Sequence, residues 1–231
     1  FFRTLAIVLS TIISSILTFI FMLFKRDDLY FKLAGLWSGS LVKSAGIKIS
    51  MKGSENVQKN KSCIYVSNHS SYMDIPVMIN AIKTDLALIY KKELEKIPFF
   101  GQGMRRSPHV AIVRSHPKKA MRSIDEALEK LQDGVSILVF PEGTRSETGE
   151  LQDFKRGAFM LASRSGRPII PVSVKGTRDS MPKGTLLIGN SDVNIKVHKP
   201  ITEYKIEKPA DEKELMARIH GIIKKGLEEK N

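Results

Sequence analysis

From Leu5 to Phe24 the chain reads LAIVLSTIISSILTFIFMLF, twenty positions without a charge. As a helix this stretch is roughly 30 Å long, enough to cross the hydrocarbon core of a bilayer. It ends in KRDD rather than at a small-residue cleavage site, which argues against a signal peptide. Thr11, Ser14, Ser15 and Thr18 recur at spacings of three and four, a stripe of small side chains suited to packing against another helix. Residues 28–45 offer that partner, with Gly35 and Gly39 in a GxxxG arrangement, Ala34 and Ser38 beside them, and Trp37 as an interfacial anchor. Lys32 and Lys43 make this second segment a poor spanning helix but a reasonable amphipathic one. Residues 1–45 are therefore predicted to form an N-terminal two-helix membrane anchor.

After residue 46 the pattern changes to short apolar runs alternating with helical segments. The runs at 47–51, 62–67, 86–90, 110–113, 135–140, 169–174, 185–188 and 193–197 predict strands. Helices fit 74–82, 117–132, 156–165 and 210–229, the last read as a solvated lid or edge helix from its polar end, LEEKN. This alternation predicts one α/β domain over 46–231, with a mostly parallel central sheet flanked by helices. In such sheets ligands bind beyond the carboxyl ends of the strands. Four runs are followed by polar text: NHSSYMD after 62–67, KKELEKIPFFG after 86–90, Arg114 after 110–113, and PEGTRS after 135–140. If those strands are parallel, a His, an Asp, a Glu and several cations share one rim.

Charge narrows the partners. With 37 Lys and Arg against 24 Asp and Glu, the formal charge of +13 favours anionic partners such as acidic headgroups or phosphorylated substrates. Nucleic acid is not expected, because there is no reader motif or interleaved aromatic platform and a long apolar anchor serves such a binder poorly. A single cysteine, Cys63, excludes an internal disulfide, and no Cys/His cluster has zinc-site spacing, so no metal is expected.

The chemistry concentrates in two loops. In NHSSYMD a turn can bring Asp74 to His69. An ionised Asp that accepts from one ring nitrogen fixes the tautomer and leaves the other nitrogen as a general base. Ser70 and Ser71 adjoin His69, but no GxSxG elbow exists, so the reacting hydroxyl is expected to belong to the substrate. In FPEGTRS, Gly143 allows close backbone approach, Thr144 offers a hydroxyl and Arg145 presents a fork that fits phosphate oxygens. Glu142 is expected to orient Arg145 or to bond a neutral hydroxyl of the same ligand. Lys91, Arg114, Lys155 and Arg156 add to the positive field, and no GxxxxGK supports nucleotide triphosphate hydrolysis.

Four blocks between 68 and 174 together resemble the glycerolipid acyltransferases, in particular the branch that acylates lysophosphatidic acid. NHSSYMD is similar to the family's NHxxxxD block, and the resemblance gives His69 the base role and Asp74 the orienting one. KKELEKIPFFG through VAIVR resembles the second block, implying substrate binding by Arg114 and Lys91. FPEGTRS resembles the third, implying that Glu142, Gly143 and Arg145 hold the acceptor's glycerol phosphate. IIPVSV resembles the fourth, implying that Pro171 shapes the acyl pocket. The resemblance implies acyl transfer from acyl-CoA or acyl-carrier protein, as co-substrate rather than cofactor, to the sn-2 hydroxyl of lysophosphatidic acid. Glycerol 3-phosphate or another lysophospholipid is the alternative acceptor. It further implies a cell-membrane location with the site on the cytoplasmic face, and a buried acyl tunnel beside the anchor that keeps water out.

Overall fold

A computed structural model describes residues 2–24, 27–59, 61–97, 100–112, 124, 134–156, 160, 165–182, 184–185 and 188–229. Helices α1 (Phe2–Leu23) and α2 (Asp27–Ala45) precede strand β1 (Ile47–Lys52). Then follow β2 (Ile64–Ser67), α3 (Asp74–Ile82), β3 (Leu86–Lys91), α4 (Phe100–Arg106), β4 (Val110–Ile112) and β5 (Ser136–Val139). The chain continues through β6 (Ile169–Lys175), the short α5 (Thr177–Ser180), β7 (Ser191–Val197) and α6 (Pro209–Glu228). The strands form one sheet in the order β1-β7-β6-β2-β5-β3-β4, every neighbouring pair parallel except β6 with β7. Seven of the eight expected strands are present within a few residues. In the eighth, 185–188, the described residues Thr185 and Ile188 are not in a strand. The expected helices at 117–132 and 156–165 fall mostly outside the described residues.

The central strands β2 and β5 are buried at every position because helices cover both faces of the sheet. On one face Tyr65, Leu138, Ile170, Val172 and Val174 pack with Val77, Met78 and Ile82 of α3. On the other, Ile64, Val66, Ile137 and Val139 meet α6. The last helix is thus no solvated lid. Leu215, Ile219 and Ile223 repeat every four residues and are buried on the sheet, while Glu228 and Glu229 at its end are exposed.

The first two helices pack on each other. Ser10 Oγ lies 2.8 Å from Ser40 Oγ, and the Trp37 indole N–H donates to Thr11 Oγ1 at 3.2 Å. The GxxxG pair is not the seam: a side chain at Gly39 would meet Asn80 of α3, and one at Gly35 would meet nothing within 4 Å. Leu41, Val42 and Ala45 of α2 join the core shared with the sheet. The opposite face of α1 is apolar and open, with Leu9, Ile12, Ile13 and Ile16 half exposed. Its stretch Arg3–Phe21 has a mean hydropathy of 2.3 and is, by length and composition, able to cross a membrane.

Candidate active site

Strand β2 ends at Ser67, and the next side chain fixes where the chain goes. Asn68 is buried; its Nδ2 donates to the Val174 carbonyl and its Oδ1 accepts the Val174 N–H, both at 2.8 Å. This side-chain clamp carries the β2–β6 pairing one residue past the strand, so His69 emerges at the carboxyl end of the sheet.

Asp74 opens α3 but does not cap it. Its fully buried carboxylate turns back into the preceding loop, where Oδ2 accepts from His69 Nδ1 at 2.7 Å, Ser70 N at 2.7 Å and Ser71 N at 2.9 Å. Oδ1 accepts the Thr177 hydroxyl at 2.5 Å. Because a carboxylate only accepts, His69 carries its proton on Nδ1 and leaves the Nε2 lone pair free. The imidazole stacks on Phe140, with ring centres 4.1 Å apart and planes 19° apart, and its side chain is 16% exposed. The neighbouring hydroxyls are engaged elsewhere: Ser70 Oγ with Thr177 at 3.1 Å, and Ser71 Oγ with the Met181 carbonyl at 2.8 Å. A ring with one nitrogen oriented and the other open is a general base for a hydroxyl brought by a ligand.

FPEGTRS forms the facing loop. Phe140 to Gly143 is a turn closed by the Gly143 N–H to the Phe140 carbonyl at 3.1 Å, with Gly143 at φ 72°, where a side chain would be strained and would press on Lys155. Glu142 does not reach outward to Arg145 or to a ligand hydroxyl as the sequence led one to expect. It is 2% exposed, and its two oxygens accept the backbone N–H of His69 at 2.6 Å and of Gln152 at 3.0 Å. Burial pushes its carboxyl above the ordinary range, and the two amide hydrogen bonds hold it back in part. The His69 carbonyl in turn accepts the Ser146 N–H at 2.8 Å. The loop therefore grips the His69 backbone from both sides.

Arg145 stands on the other side of this grip. Its guanidinium lies 3.4 Å from the ring centre of Tyr72, and its buried Nη1 has no hydrogen-bond partner among the described residues. A stacked cation with donors left over, tied through Ser146 to the residue bearing the base, is suited to an anionic group such as phosphate.

The remaining expected residues divide. Thr144 is exposed, and its carbonyl accepts from Gln152 Nε2 at 3.4 Å. Lys91 ends β3 at the rim, 55% exposed and 3.9 Å from Glu93. Arg114 lies outside the described residues. Arg156 is held by Glu212 of α6 at 2.7 Å, while the Lys155 side chain lies against Gly143. Pro171 is buried within β6, where its carbonyl accepts the His198 N–H at 3.0 Å. It is not in the wall of the cavity described next, so a role in shaping an acyl pocket finds no support there. Sequence reasoning missed Thr177, Asn68 and Phe140. Asn68 and Phe140 each stood first in a motif already quoted, NHSSYMD and FPEGTRS, whereas Thr177 carried no local signal.

A cavity of about 340 Å³ opens between α1, α2, α3, β3 and α4. Its wall includes Thr11, Ala34, Trp37, Ile79, Leu88 and Met104, and also Ile75, the residue after Asp74. Apolar space thus begins beside the His69–Asp74 turn and runs under the first two helices. Among the described residues no group of three His, Cys, Asp or Glu is placed to hold a metal ion.

A family model described as Acyltransferase matches residues 48–175. The chain is 33% identical over 189 residues to a chloroplastic 1-acyl-sn-glycerol-3-phosphate acyltransferase of Brassica napus, covering 81% of this chain and 54% of that protein. It is 31% identical over 210 residues to a 1-acyl-sn-glycerol-3-phosphate acyltransferase of Limnanthes douglasii, covering 90% of this chain and 72% of the other. The chain thus spans about half the length of the chloroplastic relatives it matches. Among solved structures it is similar to the crystal structure of the 1-acyl-sn-glycerophosphate (LPA) acyltransferase PlsC from Thermotoga maritima. That match has a TM-score of 0.79 and 30% identity, and covers 98% of this chain and 95% of that one. With the family model spanning more than half of its length and a structural relative sharing nearly all of its fold, the chain belongs to the acyltransferase family.

Proposed function

We propose that the protein transfers a fatty acyl group from acyl-CoA or acyl-carrier protein to the sn-2 hydroxyl of lysophosphatidic acid, giving phosphatidic acid. The observation that carries this reading is the interlock of the two loops. His69, oriented through Nδ1 by Asp74 at 2.7 Å, is gripped by the same loop that presents Arg145. His69 Nε2 takes the proton of the acceptor hydroxyl as that oxygen attacks the thioester carbonyl. Asp74 stabilises the imidazolium that forms, and collapse of the tetrahedral intermediate breaks the carbon–sulfur bond. The proton on His69 then leaves with the thiol. Arg145 holds the phosphate, with Lys91 and Arg114 adding to the field. The relatives carry this activity in their names, and the cavity beside Asp74 has the position and lining an acyl chain requires.

In the same reading, residues 1–45 associate with the membrane and residues 46–231 carry out the transfer. The open apolar face of α1 enters lipid, α2 lies along the interface, and the site works on the cytoplasmic side of the cell membrane. A basic rim there attracts anionic lipid and an acidic donor.

The test is thiol release by purified protein given palmitoyl-CoA and either lysophosphatidic acid or glycerol 3-phosphate. Turnover is expected with lysophosphatidic acid, falling about 10²- to 10⁴-fold in His69→Ala. Arg145→Ala is expected chiefly to raise KM for the lipid. Activity confined to glycerol 3-phosphate would overturn the acceptor, and an active His69→Ala enzyme would overturn the mechanism.

A further inference from the structure

The 340 Å³ cavity is largely apolar, yet buried side chains with polar atoms stand in its wall, among them Tyr30 of α2 and His109 just before β4. They are 7% and 5% exposed, and Tyr30 Oη lies 2.5 Å from His109 Nε2. The direction of that hydrogen bond follows from the other side of the ring. His109 Nδ1 faces the backbone N–H of Leu88 at 3.1 Å, and an amide N–H only donates. Nδ1 therefore holds a lone pair. Burial keeps the imidazole neutral, pulling it down to about 4, so its single proton sits on Nε2. Nε2–H donates, and the Tyr30 oxygen accepts.

Tyr30 then has a hydrogen to spare. The phenol ring is fixed edge-on against Phe31 and His109, at 5.2 and 5.4 Å between ring centres, and no second partner for the hydroxyl exists among the described residues. A phenolic hydrogen lies in the ring plane, so with His109 occupying one side of the oxygen it points to the other, in a residue that lines the cavity. A saturated chain filling that space would leave a buried donor without an acceptor, which is costly.

We propose that Tyr30 is a specificity-determining residue whose hydroxyl donates to an oxygen carried part-way along the acyl chain, so that the cavity favours an oxygenated chain over a saturated one of equal length. This rests on the reading of the cavity as the acyl site.

The experiment compares kcat/KM for palmitoyl-CoA with that for a set of monohydroxypalmitoyl-CoAs whose hydroxyl is stepped along the chain. In the wild-type protein the hydroxylated-to-saturated ratio is expected to peak at one position, and Tyr30→Phe to lower the ratio there about tenfold, the size of one buried hydrogen bond. A flat positional profile, or a ratio unchanged in Tyr30→Phe, would overturn the proposal. The wild-type profile decides alone if the variant fails to fold.

Gly103→Leu separates the two levels of the argument. Gly103 lines the cavity, and a Cβ added there meets nothing within 4 Å, so a leucine is expected to extend into the cavity and shorten it. Shorter accepted chains in Gly103→Leu, together with a flat hydroxyl profile, would defeat the Tyr30 proposal and leave the acyl site standing. Unchanged chain length in Gly103→Leu would defeat both.

Discussion

Replacing Asp74 by asparagine tests the His69–Asp74 pair with little change of shape. Oδ2 receives three N–H donors, two of them backbone amides that cannot turn away, whereas Oδ1 receives, among the described residues, only the rotatable hydroxyl of Thr177. The asparagine oxygen must therefore take the Oδ2 place and its NH₂ the Oδ1 place. Thr177 can accept from that NH₂ and turn its own hydrogen toward Ser70 Oγ, 3.1 Å away. The loop survives, and His69 keeps its proton on Nδ1. What disappears is the negative charge beside the imidazolium formed as the acceptor hydroxyl is deprotonated. At a charge separation of about 4 Å and an effective dielectric constant of about 20, that attraction is about 4 kcal/mol. The expected fall in kcat is then about a thousandfold, with KM little changed. The assay is thiol release at saturating donor and acceptor, paired with a thermal melt. A kcat within tenfold of wild type, in a protein that melts normally, would refute the role given to the Asp74 charge. Asp74→Ala provides the contrast, because it orphans the Ser70 and Ser71 amides at about 1–3 kcal/mol each and should melt well below Asp74→Asn.

Two further outcomes follow from buried groups. Glu142→Gln offers one acceptor oxygen where two backbone N–H groups need one each. It should lose about 1–3 kcal/mol of stability and lower kcat by displacing His69, read by denaturant unfolding and turnover; wild-type values for both would contradict the grip described above. His109, pulled down by burial from its ordinary 6.5 to about 4, binds a proton more readily unfolded than folded, so stability rises with pH across that window. Acidification from pH 6.5 to 4 should cost about 3 kcal/mol through this residue, a loss that denaturant melts should find largely absent in His109→Gln.

The sheet was readable because its central strands announce themselves. IYVS and SILV are apolar or small throughout, as burial on both faces requires, and parallel pairing then puts the polar text after each strand on one rim. The placement of His69, Asp74 and Arg145 at the carboxyl end of the sheet was readable for the same reason, because the loops that carry them follow β2 and β5. The last helix was misjudged because LEEKN is local, whereas the register of Leu215, Ile219 and Ile223 is what meets the sheet. GxxxG misled similarly: its spacing promises a close helix contact without naming the partner, and Gly39 faces α3.

Thr177 shows where sequence reasoning runs out. It completes the Asp74 carboxylate from 103 residues away, and one threonine after a strand is ordinary in any local pattern. Glu142 shows the same limit in a residue that was noticed but misassigned. An acid three residues from an arginine, beside a turn glycine, invites pairing with that arginine or with a ligand. Only tertiary structure reveals that its partner is the backbone N–H of His69, 73 residues earlier, with Gln152 taking the second oxygen. The mixed charge of FPEGTRS then has a physical account. The acid points inward, where its cost of burial is offset by two amide donors and by a fixed His69 backbone. The arginine stacks on the Tyr72 ring, where no carboxylate among the described residues neutralises the donors an anionic acceptor needs.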